Sequence, residues 1–194
     1  MPSKVIFIVR VVSIAAWVGV IAACFMGYLA DPGSFTPENI AAFLRHYQAE
    51  IWLFYLGMSV IRGFTLLPST PLVLAGTILF PDNPIAVLAV SILGIVISSS
   101  LIYYCSGFLG FRDYFEKRRS DLARKIRTRL EHPAGIFFVA LWAFTPVVPT
   151  DAVCYVAGTI RMTFSKFILA LVAGELILCS IYVFLGGSLW RLLG

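Results

Sequence analysis

The sequence predicts an all-α polytopic membrane protein: an inverted repeat of two proline-broken re-entrant hairpins, each followed by a transmembrane helix, plus an N-terminal transmembrane helix. Three observations predict it. Hydrophobic residues make up 60% of the chain and charged residues 13%, with a mean hydropathy of +0.92, so there is too little polar surface to cover a soluble globule. A set of landmarks is written twice: Leu67-Pro68-Ser69-Thr70-Pro71, Ala75-Gly76-Thr77-Ile78, Gly94, Tyr103 and Gly110 return as Thr145-Pro146-Val147-Val148-Pro149, Ala157-Gly158-Thr159-Ile160, Gly174, Tyr182 and Gly187. Finally, eight of the fifteen Lys and Arg lie between Arg112 and Arg129, beside Asp113, Glu116, Asp121 and Glu131. That cluster reads as a cytoplasmic loop on an anionic leaflet and not as a nucleic-acid surface.

In chain order, residues 1–30 form the first span. Lys4 and Arg10 precede an apolar run that ends near Ala30, too long for a signal-peptide core and without a small residue placed for cleavage. Residues 31–50 are polar, with Thr36-Pro37 capping a short helix whose Ile40, Phe43, Leu44 and Tyr47 share a face suited to the bilayer surface. The membrane domain follows over residues 51–194, as repeat 1 (51–110), a basic cytoplasmic loop (111–133) and repeat 2 (134–194). Within the loop, Phe111, Phe115, Leu122, Ile126 and Leu130 fall at mostly helical spacing. In the spans, Gly94 with Ser98 and Ala170 with Gly174 are small residues four apart, a pattern that lets helices approach closely.

Whether residues 51–67 cross the membrane or turn back is decided by the second copy. Ala134 to Thr145 is too short to cross before Pro146, since a span needs roughly twenty residues. With both units re-entrant, twelve Lys and Arg lie inside and only Arg45 and Arg191 outside, in keeping with the positive-inside rule. The two repeats then run in opposite orientations, a plan used by many secondary transporters.

Backbone broken at membrane depth must be satisfied by protein or water, so polar chemistry is expected at the breaks. The breaks are assigned to Pro68, Pro71, Gly76, Pro146, Pro149 and Gly158. Candidate substrate-binding residues are Arg62, Thr70, Thr145, Thr150, Asp151 and Tyr155, although threonine in a membrane helix commonly bonds its own backbone. Arg62, Asp151 and Glu175 are ionisable at depth, at about 2.5–3.5 kcal/mol each on a lipid-exposed helix, so they are expected to face one another or a wet cavity. Structural pairing is one reading. The other is an anionic headgroup held by Arg62, with Asp151 or Glu175 taking up a proton. Cys24, Cys105, Cys154 and Cys179 stand in apolar runs without C-x-x-C spacing, and are expected to be buried, reduced and structural. His46 and His132 lie in polar connections. No nucleophile motif, phosphate loop or metal-ligand spacing is present, so no enzyme, metal or cofactor is expected.

Pro68-Ser69-Thr70-Pro71 with Ala75-Gly76, and Pro146-Val147-Val148-Pro149-Thr150-Asp151 with Tyr155-Val156-Ala157-Gly158, resemble the VTT-domain or DedA family, also called SNARE-associated Golgi proteins. The resemblance implies opposed re-entrant hairpins and movement of lipid between leaflets, as a scramblase or a carrier of phospholipid or polyprenyl phosphate. It also implies a multi-pass protein of the bacterial inner membrane with a cytoplasmic N-terminus. Two arginines common among bacterial relatives are replaced here by Gly107 and Ala143, and residues 68–76 carry no acid, which leaves proton coupling open. A non-transporting scaffold and a small-solute or ion carrier are the alternatives. Expected partners are membrane lipids, with anionic headgroups at the basic loop and no nucleic acid; homo-oligomerisation is left open.

Overall fold

Proline punctuation divides the chain into helices at nearly the places the sequence predicts. A computed structural model describes residues 2–47, 49–65, 68–108, 120–146 and 148–193, and all regular structure among them is helical. Helix α1 covers Pro2–Ala30, and a 3-10 turn at Pro32–Phe35 leads to α2, Pro37–Leu44. Thr36 caps α2, its hydroxyl accepting from the Asn39 amide at 3.4 Å, with Pro37 in the first turn.

Two helix–break–helix units follow the same plan. The first is α3 (Ile51–Arg62), a 3-10 turn at Gly63–Thr65, and α4 (Thr70–Leu79). Helix α5 (Pro84–Phe108) comes next, and then α6 (Ser120–Glu131). The second unit is α7 (Pro133–Phe144) and α8 (Thr150–Thr159), followed by α9 (Phe164–Leu193). Within α5 and α9, the stretches Pro84–Ser106 and Phe164–Gly186 have hydropathies of 2.6 and 2.4 and are long enough to cross a membrane.

Each unit closes on itself at its open end. Trp52 in the first turn of α3 stacks on Phe80 just after α4, with ring centroids 3.6 Å apart and planes 11° apart. At the other unit, Glu131 at the end of α6, two residues before α7, accepts hydrogen bonds from the amide at 2.8 Å and hydroxyl at 3.0 Å of Thr163, in the turn between α8 and α9. These open ends lie at opposite ends of α5. Val87 in its first turn packs against Gly76, whereas Tyr103 near its other end donates to the Met162 carbonyl at 2.6 Å.

The two long helices share the units between them. Helix α5 packs on α3 of the unit before it and α8 of the unit after it, while α9 packs on α7 and α4. Gly94 lets α5 approach Ser59 of α3, and Gly174 lets α9 approach the Ala140 carbonyl and Ala143 of α7, so the two glycines make similar close approaches between helices. Gly76 and Gly158 are not breaks, contrary to the sequence expectation. They lie inside α4 and α8, where the absent side chain makes room for Tyr55 and for the Tyr103 carbonyl. Pro71 likewise sits in the first turn of α4, where it favours a helix start.

Three further expectations are corrected or bounded. Helix α2 does not rest on lipid alone, because it buries Ala41 and Leu44 as it packs on α4. Cys154 and Cys179 are buried, but Cys105 is exposed and Cys24, on the thinly packed side of α1, is only half-buried. Ile126 and Leu130 of α6 pack against the core, so that helix does not rest on headgroups alone, whereas Phe111, Phe115, Leu67 and Gly110 lie outside the described residues.

Candidate functional site

The breaks bring three ionisable residues together at mid-length of the long helices. Arg62 ends α3, and the chain turns there because Gly63 allows the backbone to press on Ser98, halfway along α5; a Cβ at Gly63 would lie 2.7 Å from the Ser98 Cβ. Asp151 stands in the first turn of α8, where the helix dipole favours a negative charge. Arg62 Nη1 donates to Asp151 Oδ2 at 3.2 Å, with side chains 11% and 2% exposed.

Glu175, from the middle of α9, completes the group. It is fully buried, and its Oε1 accepts from the hydroxyl of Thr150 at 2.7 Å while the Cys179 thiol faces Oε2 at 3.8 Å. Thr150 and Asp151 are adjacent on the chain, so one turn of α8 serves both carboxylates. Arg62 acts electrostatically on both acids, and Glu175 acts on Asp151. Separate helices thus contribute one cation and two carboxylates to a single buried cluster.

Arg62 also faces a cavity of about 380 Å³. Pro68 and Pro71 line it from the first break, Met58 and Leu72 from the flanking helices, and Tyr28, Phe35 and Phe43 from the N-terminal segment. Its wall is apolar apart from Arg62, Ser34 and Asn39.

The remaining candidates are dispersed. Thr70 donates to the Tyr182 hydroxyl at 3.3 Å, joining α4 to α9. Thr145 donates to the Leu141 carbonyl at 2.9 Å, the ordinary backbone role of a threonine at a helix end. Tyr155, one turn beyond Asp151, packs on Trp17 of α1, with ring centroids 4.9 Å apart. Pro149 caps α8 and its carbonyl accepts from Trp142 Nε1 at 3.4 Å, while Pro146 lies in the preceding turn.

Apart from Ser98, singled out only for its small size, sequence reasoning passed over the serines of α5. Ser91, Ser98, Ser99 and Ser106 are all buried, and the Ser91 hydroxyl pairs with Tyr55 at 2.7 Å. Their recurrence every seven or eight residues was the available signal, one helical face turned to protein. Ala143 is fully buried against Gly174, so close packing occupies that position.

On the α6 surface, Arg124 pairs with Asp121 and Arg127 with Glu131, each at 3.1 Å. Partial burial of Glu131 opposes its charge, but hydrogen bonds from the Thr163 amide, Arg127 and the Thr163 hydroxyl outweigh it and hold the carboxyl below its ordinary range.

No curated protein and no solved structure matches the chain. The family model described as the VTT domain matches residues 67–188, which include both proline-broken segments and both long apolar helices. With well over half of its length matched, and with two helices fit to cross a bilayer, this chain is a membrane protein of the VTT-domain family.

Proposed function

We propose that the protein moves lipids between leaflets, as a scramblase or carrier of phospholipid or polyprenyl phosphate, with the headgroup passing Arg62 while the tails stay in the bilayer. The observation that carries this reading is the cavity: one guanidinium set in an otherwise mainly apolar wall matches the division of an amphiphile into a charged head and a hydrocarbon tail. In this reading the two helix–break–helix units are re-entrant, opposed in orientation, and meet at the bilayer midplane. The Trp52–Phe80 and Glu131–Thr163 closures support it, since a unit that starts and finishes at one place does not cross. The N-terminus and basic α6 then face the cytoplasm of a bacterial inner membrane, with α6 against anionic headgroups. The sequence carries no nucleophile motif, and we read the activity as transport and not chemistry.

The test is reconstitution into liposomes carrying fluorescent phospholipid or a polyprenyl phosphate analogue, with a membrane-impermeant quencher added outside. The expected result is transbilayer exchange well above that of protein-free liposomes for at least one lipid. Exchange equal to the protein-free rate for both would contradict translocation and leave the scaffold reading.

A further inference from the structure

Helix α1 is attached differently from every other long helix. Its inward stripe is Trp17, Ile21, Cys24 and Tyr28, spaced four, three and four residues apart, and each of these is only half-buried. Among the α1 side chains that are described, at residues 12, 15–24 and 26–30, none is fully buried or belongs to the core cluster, whereas α9 contributes Phe167, Ala170, Leu171, Cys179 and Val183. The outer side of α1 exposes Val12, Val18, Val20, Met26 and Leu29, a face made for lipid tails.

The thin seam runs along the candidate site. At one end Tyr28 lines the Arg62 cavity and meets Phe35 edge-on, with centroids 5.6 Å apart. Between the ends, α1 touches the 3-10 turn Gly63–Thr65 that follows Arg62. At the other end Trp17 covers Tyr155, one turn from Asp151. Helix α1 therefore stands between the charged cluster and the bilayer, held by a line of partly exposed contacts.

Resting on the lipid-translocation reading above, we propose that α1 is the movable wall of the Arg62 cavity, and that the Trp17–Tyr155 contact is its closed position. A headgroup at Arg62 whose tails remain in the membrane needs a lateral opening. The α1 seam is the weakly packed boundary that provides one, because no described α1 side chain belongs to the core cluster.

Two measurements test this. The first does not depend on transport: in a background with the four native cysteines replaced, Met58→Cys in the cavity is labelled in liposomes by a bilayer-partitioned alkyl maleimide. Loss of one aromatic contact by Trp17→Ala should speed that labelling about two- to tenfold, while Leu169→Cys on the lipid-facing side of α9 reacts at an unchanged rate. Equal Met58→Cys rates with and without Trp17 overturn the proposal.

The second measurement joins Trp17→Cys to Tyr155→Cys with a short reducible bis-thiosulfonate cross-linker and follows lipid exchange. Exchange should fall to the protein-free level when cross-linked and return on reduction. Undiminished exchange in the cross-linked protein overturns the movable wall while leaving translocation intact. Absence of exchange in the wild-type protein overturns translocation, and the labelling result still decides whether α1 opens.

Discussion

Arg62→Leu lowers thermal stability in detergent more than Asp151→Leu does, and the double variant recovers part of the loss. The guanidinium and carboxylate are 3.2 Å apart and nearly shielded from solvent, so each offsets the other's desolvation. Removing one partner strands the other, a loss of about 3–5 kcal/mol. The asymmetry comes from Glu175, which is buried in the field of Arg62. Without Arg62 two carboxylates lose their cation, but without Asp151 the guanidinium retains one acid nearby. The double variant still leaves Glu175 with the Thr150 hydroxyl, so recovery is incomplete, and Glu175→Gln added to it should recover more. Losses that simply add in the Arg62 and Asp151 double variant would show that the two residues are not partners.

Gly174→Ala and Gly158→Ala destabilise the protein by about 1–3 kcal/mol or more each, because at both sites the new methyl group meets a backbone carbonyl that cannot turn away. At Gly174 it would overlap the Ala140 carbonyl and press on Ala143, prying α9 from α7; at Gly158 it would overlap the Tyr103 carbonyl and Ser106, prying α8 from α5. Gly57→Ala is the matched control. It lies in α3 with nothing within 4 Å of an added Cβ, so the better helix propensity of alanine should raise stability by up to about 1 kcal/mol. Scanning fluorimetry in detergent compares all three. A Gly174→Ala protein as stable as the Gly57→Ala protein would contradict the close α7–α9 packing.

Much of this architecture was legible because prolines and charges act locally. Thr36-Pro37 announces α2, and Pro133 and Pro149 mark helix starts whatever surrounds them. The pairing of Arg62 with Asp151, 89 residues apart, was legible for a different reason: a charge at membrane depth needs a partner, and few were available. Other features depended on tertiary approach, which the sequence does not announce. Glycines at 76 and 158 look the same whether they break a helix or admit a neighbour, and only the contacts with Tyr55 and the Tyr103 carbonyl distinguish the two. The role of Thr150 depended on Glu175 arriving from α9, and Trp17 gave no sign that it would cover Tyr155.

The central claim is that both broken units turn back to the side they came from, and cysteine accessibility in sealed vesicles tests it most directly. Single cysteines at Ser34, Asn83, Thr128 and Ser165, in the protein with its four native cysteines replaced, are exposed to an impermeant thiol reagent before and after the membrane is opened. The account predicts that Ser34 and Asn83, which flank the first unit, label from one side, and that Thr128 and Ser165, which flank the second, label together from the other. Labelling of Ser34 and Asn83 from opposite sides, or of Thr128 and Ser165 from opposite sides, would contradict it.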